Sequence, residues 1–190
     1  MGSSINVGLV YGSSKVTETH LKKLIELLKG NQGHIEYVRF SEDIDGEEWI
    51  QHDFPTTDTT IFEKLTLSHY GQIHLLVDLF QLKGLNVEIK IEKCEGYFGF
   101  LLCFKEHEIL PDYSEDLLDR ITNSILMFVA EIYPILKFDY AFCDHEAEIE
   151  SSPKEFNPQR YSLSFLPDLS TGKLNVRQSS WHINGLTERQ

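Results

Sequence analysis

The spacing of apolar residues changes period along the chain, and each change marks an element. Residues 5–11, INVGLVY, are too uniformly apolar to alternate and predict a buried strand. Thr17 then stands where a helix N-cap belongs, and Leu21, Leu24, Ile25 and Leu28 form an i, i+3, i+4, i+7 stripe. Gly30 follows where such a helix stops. HIEYVRF, from His34, alternates and predicts a second strand. Strand, helix and strand in this order fit either a βαβ unit or the opening of an α+β sheet. Segment 41–72 is less regular. It suggests a short helix near residues 47–51 and an unspecified element over 61–67.

From Ile73 a period of two takes over. Ile73, Leu75, Val77 and Leu79 alternate with polar residues, as do Leu85, Val87, Ile89 and Ile91, and YFGFLLCF follows from Tyr97. The short spacers between these runs predict an antiparallel meander. A three-residue loop at Leu82, Lys83 and Gly84 pairs Val87 with Leu79, Ile89 with Val77 and Ile91 with Leu75. It gives Gly84 a left-handed backbone. A turn at Glu95 and Gly96 then pairs Cys94 with Tyr97 and Cys103 with Glu88, which keeps those two thiols apart. Leu118, Ile121, Ile125, Phe128 and Ile132 mark one face of a long helix. Asp112 or Ser114 caps its start, and Pro134 ends or kinks it. FDYAFCD, YSLSFL and KLNVRQ predict three further strands, the last two split by a turn in DLSTG. The expected fold is therefore α+β, a single globular domain over residues 1–190. It has a mixed sheet containing a long antiparallel meander, with two main amphipathic helices packed on it.

Composition narrows the function. Across 190 residues the formal net charge is −13, which repels phosphate backbones and anionic membrane surfaces and attracts a basic protein partner. No apolar run approaches the roughly 20 residues of a membrane span, and the N-terminus lacks a secretory pattern. Three cysteines without CxxC spacing predict free thiols and a reducing, cytoplasmic setting.

Three stretches hold candidate chemistry. YGSSKVTET joins the first strand to the first helix, so Gly12, Ser13 and Ser14 could present amides to an anion. The Walker and dinucleotide glycine patterns are both absent, however, and a plain strand-to-helix turn suits the residues better. The alternative function, a small ligand-binding or enzymatic α/β domain, rests on this turn. DHEAEIE places Asp144, Glu146, Glu148 and Glu150 on one face if the preceding strand continues, with His145 opposite. A solvated acidic edge, a protein-binding ridge and a divalent-cation site all fit, but no metal-ligand spacing supports the last. Trp49 and Trp181 sit among polar neighbours, as packing residues or as contact anchors. No GxSxG elbow or HExxH motif occurs, so no catalytic residue, metal ligand or cofactor is expected.

NVGLVYGSSK, FSEDIDGEEWI from Phe40, YFGFLLCFKE from Tyr97, FDYAFCDHEAEIESSPKEF from Phe138 and SSWHINGLTER at the end carry a resemblance. In this order they resemble an immunity protein family of bacterial polymorphic toxin systems, the one numbered sixty-four. The resemblance spans nearly the whole chain. It implies an α+β cytoplasmic protein that binds a cognate toxin domain and blocks it, with no catalytic residues. Asp144, Glu146, Glu148, Glu150 and Trp181 are the candidate contacts for such a partner.

Overall fold

The computed structural model describes residues 2–13, 15–30, 32–112, 114–168 and 170–189. Among these residues nine strands and four α-helices are ordered β1 (Ser4–Tyr11), α1 (Glu18–Lys29), β2 (His34–Ser41), β3 (Ile50–Asp53), α2 (Ile61–Leu67), β4 (Tyr70–Leu79), β5 (Leu82–Cys94), β6 (Tyr97–Lys105), α3 (Glu106–Ile109), α4 (Glu115–Leu136), β7 (Tyr140–His145), β8 (Leu163–Pro167) and β9 (Leu174–Gln178). One sheet holds all nine strands, in the order β3-β2-β4-β5-β6-β1-β7-β8-β9. Every neighbouring pair is antiparallel, so the α+β class holds while the expected mixed sheet becomes a wholly antiparallel one. β1 and β2 do not pair. Three strands lie between them, which settles the opening segment as part of an α+β sheet.

Local chemistry accounts for the helices. Thr17 caps α1 by accepting the His20 amide, the four apolar residues of its stripe are all buried, and Gly30 closes it at φ 51°. Ser114 caps α4, while Asp112 accepts from the Ser114 amide and hydroxyl. All five residues of the predicted α4 face are buried. Pro134 stands within the last turn, and the helix continues to Leu136 before Lys137 turns left-handed. The segment 61–67 is α2. No helix forms at 47–51. Asp43 accepts the amides of Asp45 and Glu47, and the chain then enters β3 to pair with β2. Strands such as β4 and β5 bury alternate residues, so α1, α2 and α4 cover one sheet face in a continuous apolar core.

The β5–β6 register is as expected, with Cys94 opposite Tyr97 and Cys103 opposite Glu88. Between β4 and β5 the register differs by four residues: Ile89 faces Ile73, Val87 faces Leu75 and Leu85 faces Val77. The turn is Phe80 and Gln81, both at positive φ. Gly84 does adopt a left-handed backbone, but inside β5, where its amide donates to Asp78 at 2.9 Å. Phe80 tolerates its conformation because its ring is buried against Phe104 and Phe128 at centroid distances of 5.3 and 5.9 Å.

Candidate functional site

The sheet face opposite the helices is covered at only one end. β7 stops at His145, and Glu146 takes φ 49° with its amide donated to Ser4 O at 2.8 Å. The chain thus leaves the sheet and crosses its open face as an extended segment. Ala147 and Ile149 turn inward onto an aromatic cluster that includes Tyr140, Phe142 and Tyr161. Gly99 makes room for this crossing. A Cβ there would lie 2.4 Å from Ile149 Cδ1 and 2.9 Å from Leu9 O. Asn6 Nδ2 donates to Ala147 O at 2.9 Å, and Tyr140 Oη donates to Ser151 O at 2.6 Å.

The alternation leaves Glu146, Glu148 and Glu150 exposed, as a ridge requires, although no strand carries them. Glu150 pairs with Arg160 at 2.6 Å. Asp144 belongs elsewhere. It is buried, its Oδ2 accepts the Ser162 amide at 2.8 Å and Trp181 Nε1 at 3.1 Å, and its Oδ1 accepts the His145 amide at 2.8 Å. Trp181 is half-buried and its N–H is spent on this carboxylate. The two residues therefore hold the C-terminal segment against β7 and β8. Three of the five sequence candidates form the exposed ridge, and the other two form a clasp beside it.

Beside the ridge the open sheet face forms a groove of about 800 Å³. Its floor and far wall are the polar half of the alternating strands: Asn86, Glu88 and Lys90 of β5, His74 of β4 and Tyr37 of β2. His74 stacks on Tyr37 at 4.2 Å, and its Nε2 lies 3.2 Å from Glu88 Oε1, with Arg39 3.6 Å from the same oxygen. Burial pushes the Glu88 carboxyl up. The close approach of His74 and the charges of His74, Lys90 and Arg39 outweigh it, leaving the group below its ordinary range. Glu92, next along the same face, is held above its ordinary range by burial first, then by repulsion from Glu148 and Glu88, with Lys90 opposing. Sequence reasoning missed these residues. For the β5 residues the signal was present as the polar half of LNVEIKIEKC.

Other chemistry is not assembled here. Gly12 donates its amide to Asp139 Oδ2 at 2.6 Å, so a carboxylate already holds the turn proposed for an anion; Ser14 lies outside the described residues. The same charge, after burial, raises the Tyr11 hydroxyl above its usual range. Cys94, Cys103 and Cys143 are free thiols, and burial pushes Cys103 up to about 12, far from a nucleophilic thiolate. Among the described residues no group of three or more His, Cys, Asp or Glu side chains is placed to hold a metal ion. No described helix is long and apolar enough to cross a membrane.

An acidic α+β protein with one covered and one open sheet face is suited to recognition by surface contact. Comparison with known families identifies the class: a family model described as immunity protein 64 matches residues 1–189. The chain belongs to the immunity protein 64 family. No curated protein matches it. Among solved structures it is similar to "Pseudomonas aeruginosa T6SS protein PA0821", with 9% identity and a TM-score of 0.37. That alignment covers 76% of this chain and 41% of the other, so the chain spans about two fifths of that protein.

Proposed function

We propose that this protein binds a cognate toxin domain of a bacterial polymorphic toxin system and blocks it by direct protein contact in the cytoplasm, without catalysis, metal or cofactor. The observation that carries the reading is family membership over residues 1–189. The geometry supports it with a fixed ridge of exposed carboxylates, Glu146, Glu148 and Glu150, on a chain of net charge −13. A toxin that acts on nucleic acid carries basic surface to approach phosphates, and an acidic inhibitor meets that surface by steered encounter. Charge then sets the association rate and its fall with salt, while buried aromatic anchors, with Trp181 the candidate next to the ridge, set the lifetime.

Co-expression with the toxin domain encoded beside the gene tests the reading. Cells carrying wild type survive. The folded triple variant Glu146→Lys, Glu148→Lys, Glu150→Lys protects poorly. Death of the cells that carry wild type refutes the immunity role, and full protection by the triple variant removes the ridge from the interface.

A further inference from the structure

The open-face groove has an electrostatic character that its position alone does not require. Its lining includes four carboxylates, Glu36, Glu88, Glu146 and Glu148, against two lysines, Lys90 and Lys105. They come from separate elements. Glu88 rises from the β5 floor, Glu148 stands on the crossing segment, and Glu36 lies on β2 at the far side. Glu92, four residues beyond Glu88 on the same face of β5, lies near Glu148 beside the crossing segment, where its cross-strand neighbour Gly99 packs against Ile149. The acids thus face one another across the groove, and part of their charge is met within the protein: Glu88 has His74 and Arg39 close by, and Lys90, on the same face of β5, opposes both Glu88 and Glu92. Burial, joined by the charges of Glu148 and Glu88, outweighs Lys90 and raises the Glu92 carboxyl.

A second observation is independent of charge. Asn6 lines the same groove and is 5% exposed. Its Nδ2 is committed to Ala147 O, which fixes the amide's orientation, because the reversed amide would set two carbonyl-type oxygens against each other. Asn6 Oδ1 is left without a donor. A buried acceptor in that state costs free energy that an incoming N–H recovers. Carboxylates on two sides and an unused acceptor in the same lining, reached by a small adjustment of the side chains over it, match a guanidinium or ammonium group, whose N–H donors point in several directions.

Resting on the toxin-binding reading, we propose that the groove receives a projecting basic segment of the toxin domain, with an Arg or Lys side chain set among Glu88, Glu148 and Asn6 and with Glu92 adding to the negative field beside Glu148. The ridge is then one wall of the interface and β5 its floor. A volume of about 800 Å³ admits several side chains, so the segment is a loop or strand tip rather than a single residue.

The test measures binding of the purified toxin domain encoded beside the gene. Three forms are compared: wild type, Glu92→Lys/Glu148→Lys, and Glu63→Lys/Glu131→Lys. The last makes the same charge change at exposed positions on α2 and α4, on the helical side. The groove variant is expected to bind about 100-fold more weakly and the helical variant within about threefold of wild type, because close charge pairs count for far more than distant ones. Equal losses in both variants, or no loss in the groove variant, overturn the proposal while leaving toxin binding intact. Failure of wild type to bind overturns both readings. Hydrogen exchange on the wild-type complex gives an answer that no variant's folding can confound. Protection over 86–92 and 146–149 supports the groove. Protection confined to the exposed apolar residues Ile44, Trp49, Ile50 and Tyr70 assigns the interface to that patch and overturns it.

Discussion

Truncating Asp144 to alanine removes a single carboxylate on which three donors converge. The Ser162 amide at 2.8 Å belongs to a fully buried residue, Trp181 Nε1 at 3.1 Å belongs to a half-buried one, and the His145 amide lies at 2.8 Å. A buried donor left without a partner costs about 1–3 kcal/mol. Ser162 bears that in full, Trp181 in part because water reaches it, and His145 least. The sum for Asp144→Ala is about 2–4 kcal/mol. Asp144→Asn behaves differently. Oδ2 alone serves both Ser162 and Trp181, so an amide oxygen in its place keeps those two bonds. Only the amide nitrogen facing the His145 N–H is mismatched, at about 1 kcal/mol. Urea unfolding followed by tryptophan fluorescence and circular dichroism reads the series. With a slope of about 2 kcal/mol/M, the alanine variant's midpoint falls by about 1–2 M and the asparagine variant's by about 0.5 M. Iodide also quenches native-state fluorescence more strongly in the alanine variant, as the indole of Trp181 loses its tether. An alanine midpoint equal to wild type, or an asparagine variant less stable than the alanine one, would refute the role assigned to this carboxylate.

Gly99→Ala places a Cβ 2.4 Å from Ile149 Cδ1 and 2.9 Å from Leu9 O, so it is expected to destabilise by about 1–3 kcal/mol. A thermal melt superimposable on wild type contradicts the close packing of the ridge. Lys93 donates to Ser68 O, and burial brings its ammonium down to about 8. Between that value and the ordinary value near 10.4 the unfolded chain binds more protons than the folded one, so this group's contribution to stability rises with pH. The urea midpoint gain from pH 7.5 to 9.5 is expected to shrink in Lys93→Met; an unchanged gain assigns it to another group.

Much of the fold was legible because apolar burial has a period. Leu21, Leu24, Ile25 and Leu28, and the five α4 residues from Leu118 to Ile132, pointed inward as their spacing required. Register was harder. Sliding β4 against β5 by four residues keeps every apolar side chain on the same face, so hydrophobic pattern cannot separate the two pairings. Turn chemistry had to decide, and it favoured Gly84 over Phe80 and Gln81. What reversed that preference is the burial of the Phe80 ring against Phe104 and Phe128, contacts 24 and 48 residues away in sequence. Strand order was illegible for the same reason: nothing local says that β1 inserts between β6 and β7. The candidate site was half legible. The alternation of exposed glutamates held, yet Asp144 turned inward because the donors that hold it, Ser162 and Trp181, lie 18 and 37 residues downstream.

If the ridge meets the toxin as proposed, the crossing segment also bears on how binding energy is used. A flexible acidic tail would be steered as well as this ridge, but it would lose its conformational freedom on binding. Here the fold has already fixed that freedom. Ile149 is seated over Gly99, Ala147 O accepts from Asn6, and the Glu146 amide donates to Ser4 O. The carboxylates are therefore presented at set separations, and a partner need order only their side chains. The same residues make the ridge depend on core packing: Gly99 sits beneath it in β6 and carries no charge. A substitution there that loosens the segment should lower affinity while leaving the salt dependence of association nearly unchanged, since net charge is unaltered. Reversal of Glu148 should instead alter the salt dependence itself. The two kinds of variant thus separate what preorganisation contributes from what charge contributes.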